Sequence, residues 1–347
     1  MSRSWTTISC RAFALTALAT ASLALFAALP AEARGAKAGL KVMRTLFLAL
    51  AAAILSLPPS AHVHGQDPPT FSANSEIVVL HVTVRDKKGA YVGGLTQDAF
   101  NVIEDGRAQT VSLFSDTDTP ATIGLLIDSS GSMYQHRALT ISGATAFAKV
   151  SHPQDEIFAI AFNEYVTPVL PASSPFTSDG SILRVALERN VNSRGRTALY
   201  DAIAGGVEYL SRGIRERKVL VLLSDGGDNA SRTTKDEAVH KAQASNAVIY
   251  TIGLIEPGSR DANPDLLKDL SLASGGELYR PKDSDGIAEV LDKIARDIRH
   301  TYTIGYTPTN TARDGAFRTV RVVVTAPPGR PLVVRSRTGY RAGTSTR

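Results

Sequence analysis

From Glu76 onward, apolar and polar positions alternate with a period of two. Ile77, Val79, His81 and Thr83 fall on one side of an extended chain, and Val78, Leu80, Val82 and Val84 on the other. The turn residues Asp86-Lys87-Lys88-Gly89 close this strand. Phe100-Asn101-Val102-Ile103 predicts a second strand, Asp105-Gly106 a tight hairpin turn, and Gln109 to Phe114 the return. Residues 76–118 therefore read as a small antiparallel β segment with no helix signal.

At Ala121 the pattern changes. Thr122-Ile123-Gly124-Leu125-Leu126-Ile127 is a continuous apolar run, as in a strand buried on both faces. Beyond it, helix-period segments at about 136–150, 180–190, 199–212, 234–246, 264–273 and 285–299 alternate with apolar runs at 156–162, 218–223, 247–254 and 277–280. Alternation over residues 119–300 predicts an α/β domain with a doubly wound, mostly parallel sheet. From Tyr302 the pattern is β again. Tyr302 to Tyr306, Phe317 to Thr325 and Leu332 to Arg337 are strand runs, with a turn at Asp314-Gly315. Segments 76–118 and 301–341 are each too small to bury a core. The expectation is that they pair into one all-β, sandwich-like domain with the α/β domain inserted between them.

Residues 1–65 form a targeting region. Residues 12–29 carry no charge, follow Arg3 and Arg11, and precede Ala31-Glu32-Ala33, an A-x-A pattern. A second signal-like layout starts at Met43: Arg44, an apolar run from Leu46 to Leu57, then Pro58-Pro59 and small residues before Gln66. One reading starts translation at Met43 and the mature chain near Gln66. The other keeps the first segment as a signal or an uncleaved anchor, the one route to a membrane that this sequence offers. No cysteine follows either run, which excludes a lipoprotein anchor. Both readings predict export to the periplasm, the cell surface or the medium. Residues 66–75 are a polar, Pro-containing linker, and 342–347 a tail.

Charge changes this picture only by subtraction. The 347 residues carry 38 Lys+Arg and 33 Asp+Glu, a formal charge of +5. Arg3, Arg11, Arg34, Lys37, Lys41 and Arg44 stand before Gln66 against Glu32 alone, so the remainder is neutral. No nucleic-acid partner is indicated. Cys10, the only cysteine, also lies in the targeting region. The folded part thus has no disulfide, thiolate nucleophile or Cys metal ligand.

The chemistry gathers at strand ends. The first buried strand runs into Asp128-Ser129-Ser130-Gly131-Ser132, a D-x-S-x-S loop that offers a carboxylate and two hydroxyls. Asn192 to Thr197 precedes a helix, and Lys218 to Leu223 ends in Ser224-Asp225-Gly226-Gly227-Asp228. In open α/β sheets, sites form beyond the carboxyl ends of the strands. Asp128, Ser130, Ser132, Thr197 and Asp225 are all oxygen donors. Such a set suits Mg²⁺, Mn²⁺ or Ca²⁺ better than Zn²⁺ or copper.

The D-x-S-x-S loop, the Thr that opens TALYDAI and the Asp that closes KVLVLLSDG resemble the metal-ion-dependent adhesion site of von Willebrand factor A domains. The likeness covers about residues 119–300. The flanking GLTQDAFNVIEDG, YTIGYTPT and RTGY resemble a bacterial exported group related to that family. The resemblance implies metal ligation by Asp128, Ser130, Ser132, Thr197 and Asp225, with the last position filled by an Asp or Glu carboxylate of a protein partner. It implies adhesion or protein binding, not catalysis. The second metal site of integrin β-type domains needs acidic residues after the loop. Tyr134-Gln135-His136-Arg137 stand there, so none is expected.

Two rival classes remain: an enzyme or enzyme subunit, such as a metal-dependent hydrolase or an accessory subunit of an envelope enzyme complex, and a structural envelope protein whose metal only stabilises the fold. A hydrolase needs a base, and G-x-S-x-G is absent. His136, His152 and His240 read as solvated helix or loop residues. Phosphoryl transfer to Asp128 would call for a carboxylate where Ser130 stands. No Walker-type phosphate loop occurs. Asp201 and Asp228 lie near the loops, as supports or as ordinary turn residues.

Overall fold

The computed structural model describes residues 77–255, 261–282, 286–325 and 331–343, all within one compact unit. The two apolar N-terminal runs, Cys10, the 66–75 linker and the last four residues of the tail lie outside the described residues. Among the described residues no helix is long and apolar enough to cross a membrane.

The chain opens with β1 (Val78–Asp86), a 3-10 turn at Gln97–Ala99, β2 (Phe100–Glu104), β3 (Arg107–Gln109) and β4 (Val111–Ser115). Then come β5 (Ala121–Asp128), a 3-10 turn at Gly131–His136, α1 (Arg137–Val150), β6 (Glu156–Phe162), β7 (Val166–Pro168) and α2 (Gly180–Asn190). These lead to α3 (Leu199–Leu210), β8 (Arg217–Ser224), α4 (Lys235–Ala244), β9 (Val248–Gly253), α5 (Pro264–Ser274), β10 (Leu278–Tyr279) and α6 (Gly286–Arg299). The last strands are β11 (Tyr302–Tyr306), β12 (Phe317–Val324), β13 (Leu332–Arg335) and β14 (Gly339–Arg341).

Local chemistry sets the helix ends. Thr234 accepts from the Glu237 N–H while Glu237 reaches back to Thr234, a capping box that starts α4. Asn263 caps α5 ahead of Pro264 at its first position, and Gly275 ends it at φ 89°, a left-handed angle few other residues adopt.

The central sheet has the order β10-β9-β8-β5-β6-β7. Its pairings are parallel except for β7, which runs antiparallel to β6. The three-residue β7 contains Pro168 and escapes a sequence reading; Pro at an edge strand leaves no ladder bond unmade. Ile123, Leu125 and Ile127 of β5 pack against α1, α2 and α6 on one face. Leu126, Phe158, Leu220 and Leu222 pack against α3, α4 and α5 on the other. All eight residues of β5 are buried, which explains its continuous apolar run. From β5 the chain moves to β6 on one side and later to β8 on the other. The strand order therefore reverses between β5 and β8, and binding sites of open α/β sheets form beyond the carboxyl ends at such a reversal.

Two four-stranded sheets, β13-β1-β11-β4 and β14-β12-β2-β3, make up the rest. Each combines strands from before and after the α/β region, and their shared core includes Leu80, Val82, Phe100, Tyr302, Ile304 and Val320. Gln109 to Phe114 is not the single returning strand its composition suggests. β3 pairs with β2, whereas β4 crosses to the other sheet beside β11. Gln109 is buried in β3 and bonds Thr309 through its side chain, and the change of sheet follows directly after it.

Arg85 of β1 fastens the β layers to the α/β domain. Buried, it bonds Glu277 at 2.9 Å, pairs with Asp297 of α6 and contacts the Tyr279 hydroxyl at 3.3 Å.

Candidate metal centre

Asp128 ends β5, and Asp225 follows the last residue of β8. Both are nearly fully buried, at 1% and 5% exposure. The strands are parallel neighbours, so their carboxyl ends bring the two loops together at the reversal point. Two carboxylates facing each other out of water repel unless a cation or a proton intervenes.

The Asp128 carboxylate is held from two sides. Its Oδ1 accepts from the Ser130 N–H at 2.9 Å and its Oδ2 from the Ser224 hydroxyl at 2.7 Å. Burial pushes its pKa up to about 6; bonds from Ser130 and Ser224 oppose the rise, and the charge of Asp225 adds to it. Asp225 Oδ1 accepts from Gly227 N–H at 2.9 Å. Gly226 makes this bend at φ 86°, where a Cβ would stand 2.5 Å from the Asn263 carbonyl oxygen.

Hydroxyls complete the set. Ser130 Oγ and Ser132 Oγ lie 3.2 Å apart, the first buried and the second exposed. The alternate spacing of D-x-S-x-S thus does bring both hydroxyls to one side of the loop. Thr197 is buried on the 192–197 loop, its main chain clamped by Asn229: the Thr197 N–H donates to Asn229 Oδ1 at 2.9 Å, and the Asn229 N–H returns to the Thr197 carbonyl at 2.9 Å.

Ser129 joins the first loop to the second. Its Oγ accepts from the N–H groups of Asn192 and Ser193 at 2.9 and 3.1 Å, and its carbonyl from Arg194 N–H at 2.8 Å. Ser129, Ser224 and Asn229 are supports that sequence reasoning missed. Ser and Asn in loops are too common for one sequence to mark them.

Asp201 and Asp228 brace the outer loops. Asp201 accepts from the N–H groups of Arg232 and Thr233 at 3.0 and 2.8 Å. Burial alone would raise its pKa, but the bonds from Thr233 and Arg232 hold it below the usual range. Asp228 accepts from the Ser231 hydroxyl at 2.5 Å and from Tyr200 N–H at 3.3 Å. Both face the join between the second and third loops.

Two of the three histidines weighed as bases stand apart from this cluster. His152 lies where the parallel strands begin, His240 is exposed on α4, and His136 ends the 3-10 turn after Ser132. Among the described residues no group of three His, Cys, Asp or Glu side chains converges as a metal site. Any ion here must rely on two carboxylates and hydroxyl oxygens. That donor set fits a hard divalent cation: among the described residues no basic side chain pairs with the buried carboxylates, and a cation would relieve their repulsion.

Several solved structures are similar to this chain in part. One is a von Willebrand factor type A protein from Catenulispora acidiphila, 14% identical, with 79% of this chain and 76% of that one covered and a TM-score of 0.45. Another is the vWF domain of the type V pili tip protein Mfa5 from Porphyromonas gingivalis, 14% identical over 52% of this chain and 96% of that one, TM-score 0.44. A third is proximal thread matrix protein 1 from the mussel byssus with a zinc-occupied MIDAS motif, 14% identical over 53% and 48%, TM-score 0.41. No curated relative matches the chain. The family model of the von Willebrand factor type A domain matches residues 122–293, a span that holds the six-stranded sheet apart from Ala121, both buried aspartates and all three loops. Residues 122–293 of this chain are a von Willebrand factor type A domain.

Proposed function

We propose that this protein is an exported binding module. In this reading Asp128, Ser130, Ser132, Thr197 and Asp225 hold a divalent cation, Mg²⁺ in the first instance and Mn²⁺ or Ca²⁺ as alternatives, and a partner protein completes the site with an Asp or Glu carboxylate. The observation that carries the reading is that two buried carboxylates, Asp128 and Asp225, stand at the ends of neighbouring parallel strands, with no basic side chain hydrogen-bonded to either among the described residues. Two carboxylates only balance a divalent ion and hydroxyls add no charge, so an aspartate that binds through water leaves the ion net positive character at an open position, where an anionic ligand is drawn. The side chains present support adhesion or assembly rather than turnover. The loops supply hydroxyls and engaged carboxylates, and the three histidines weighed as bases sit elsewhere or end a helical turn.

Export is part of the proposal. Translation from Met43 with a mature end near Gln66 accounts for the signal layout, and N-terminal sequencing of the exported protein decides it. A mature end near Arg34 would favour the first apolar segment instead.

The function is tested by capturing partners from an envelope fraction with Mg²⁺ or with EDTA. Ser130→Ala and Asp225→Ala should each abolish capture while the circular dichroism spectrum stays near native. Capture that survives both EDTA and Asp225→Ala would refute the metal contact. Calorimetric titration with Mg²⁺, Mn²⁺, Ca²⁺ and Zn²⁺ ranks the ions.

A further inference from the structure

We infer that Glu164 is a built-in rival of the partner's carboxylate: its charge strengthens the hold on the cation and weakens capture of the incoming acid. The inference rests on the binding function proposed above and assigns a residue that sets its affinity.

The register of the central sheet puts Glu164 beside the site. β5 lies between β6 and β8. Ile127 is level with Leu223 of β8, and Asp225 follows two residues later. Asp128 is level with Phe162 of β6, and Glu164 follows two residues later. Each flanking strand thus leads into a carboxylate just past the end of β5. The Phe162 carbonyl accepts from the Ser129 N–H at 2.7 Å, which ties the end of β6 to the first metal loop.

The tip of the β6–β7 hairpin is pinned to the second loop. Asn163 Nδ2 donates to the Arg194 carbonyl at 3.2 Å, and the Asn163 carbonyl accepts from the Ala198 N–H at 2.8 Å. Glu164 comes next. It is exposed and lies over Gly195, where a Cβ would collide with both oxygens of its carboxylate. The Gly195 carbonyl in turn accepts from the Gly131 N–H at 3.2 Å, and Gly131 separates Ser130 from Ser132. Standard bond lengths along this path keep the carboxylate within roughly 14 Å of the Ser130 hydroxyl.

Nothing engages that carboxylate. Among the described residues Glu164 makes no hydrogen bond and no ion pair, although Arg194 and Arg196 flank the glycine beneath it. Nor does it converge with Asp128 and Asp225 as a third ligand. It acts as an uncompensated neighbouring charge, which water and salt weaken but do not abolish at this range. Coulomb energy follows the product of the charges. Glu164 therefore acts on a divalent cation twice as strongly as on a single carboxylate, and with the opposite sign. The same side chain favours the loaded site and disfavours the ligand that completes it.

The experiment uses the full exported chain and the variants Glu164→Gln, Glu164→Lys and Glu164→Asp. Calorimetric titration at low ionic strength gives the Mg²⁺ affinity. Fluorescence polarisation gives the affinity of the Mg²⁺-saturated protein for a glycine–serine peptide with one aspartate, and for the same peptide without it. Glu164→Gln should bind Mg²⁺ about threefold more weakly and the aspartate peptide about twofold more tightly. Glu164→Lys doubles the change in charge, so the shifts should reach about tenfold and about fourfold, while Glu164→Asp should stay near native. All the shifts should vanish in 1 M NaCl, where the screening length is about 3 Å. Only position 164 changes, so the other charges of the loops cancel from each comparison. Shifts of the same sign, no shift, or shifts that survive 1 M NaCl each overturn the inference, the last by making Glu164 a ligand. Aspartate-peptide binding that persists in EDTA, or that no variant shows above the aspartate-free peptide, overturns the binding function proposed above instead, which separates the two failures.

Discussion

The Ser224 hydroxyl donates to Asp128 Oδ2 at 2.7 Å and accepts from the Gly226 N–H at 3.0 Å. One side chain at the end of β8 therefore aims the carboxylate at the end of β5 and shapes the turn that follows Asp225. Ser224 is fully buried and cannot exchange these bonds for water.

Ser224→Ala should loosen that aim without removing a proposed ligand. Supporting groups of this kind are worth about 10–100-fold in metal affinity. The variant is expected to bind Mg²⁺ within that range more weakly by calorimetry and to lose about 1–2 kcal/mol of stability. Unchanged Mg²⁺ affinity in a folded variant would show that Asp128 needs no such guide.

Asp225→Asn should split stability from metal binding. The amide oxygen can still accept from the Gly227 N–H, while the charge that raises the Asp128 pKa disappears. In EDTA the variant should be more stable than the native chain, because one of two buried carboxylate charges is gone. Mg²⁺ should raise the native melting temperature and leave that of the variant unmoved.

Stability should fall on mild acidification because of His81. Burial, and then the charges of Arg217 and Arg337, lower its pKa from 6.5 to about 3. The unfolded chain takes up a proton near pH 6.5 and the folded chain does not, so this contribution is whole above that pH and is lost as pH falls toward 3. Asp128, whose pKa burial raises to about 6, contributes with the opposite sign over the same window, so the His81 part is read as the difference between the native chain and His81→Gln. Between pH 7 and 5 that difference in urea unfolding should approach about 2 kcal/mol.

Arg85→Met removes the cation between Glu277 and Asp297. Breaking a buried pair costs about 3–5 kcal/mol because the stranded carboxylates keep their desolvation penalty. Arg335, which also bonds Glu277 at 2.8 Å, is more exposed, and Arg335→Met should cost less than about 1 kcal/mol. Denaturant midpoints compare the two, and equal losses would mean that Arg85 is not the main fastening.

The α/β domain was readable because each of its elements obeys one rule at a time. The run from Thr122 to Ile127 is apolar because β5 is covered on both faces, and all six helix periods appear as helices within two residues at either end. β7 was hidden because three residues carry no periodicity, and the switch of β4 to another sheet because composition does not say which neighbour a strand chooses. At the site, Asp128, Ser130 and Ser132 announce themselves by spacing, whereas Ser129, Ser224 and Asn229 act through single hydrogen bonds to distant loops, which no local pattern encodes. Arg85 is similar: a charged residue in an alternating strand reads as solvent-facing until Asp297 is placed against it.

β4 and β11 lie side by side, with Ser115 opposite Thr303 and Phe114 opposite Ile304, although the whole α/β domain intervenes in sequence. Closing a disordered loop of roughly 190 residues to that distance would forfeit about 4–5 kcal/mol of chain entropy. Once the domain between them has folded, its two ends are already neighbours and most of that loss is gone. Folding should therefore run in order, the inserted domain first and the two outer sheets zipping afterwards around the pair it delivers. Substitutions such as Gly124→Ala, which would drive a methyl to within 2.3 Å of the Phe158 ring, should then slow formation of sheets they never touch.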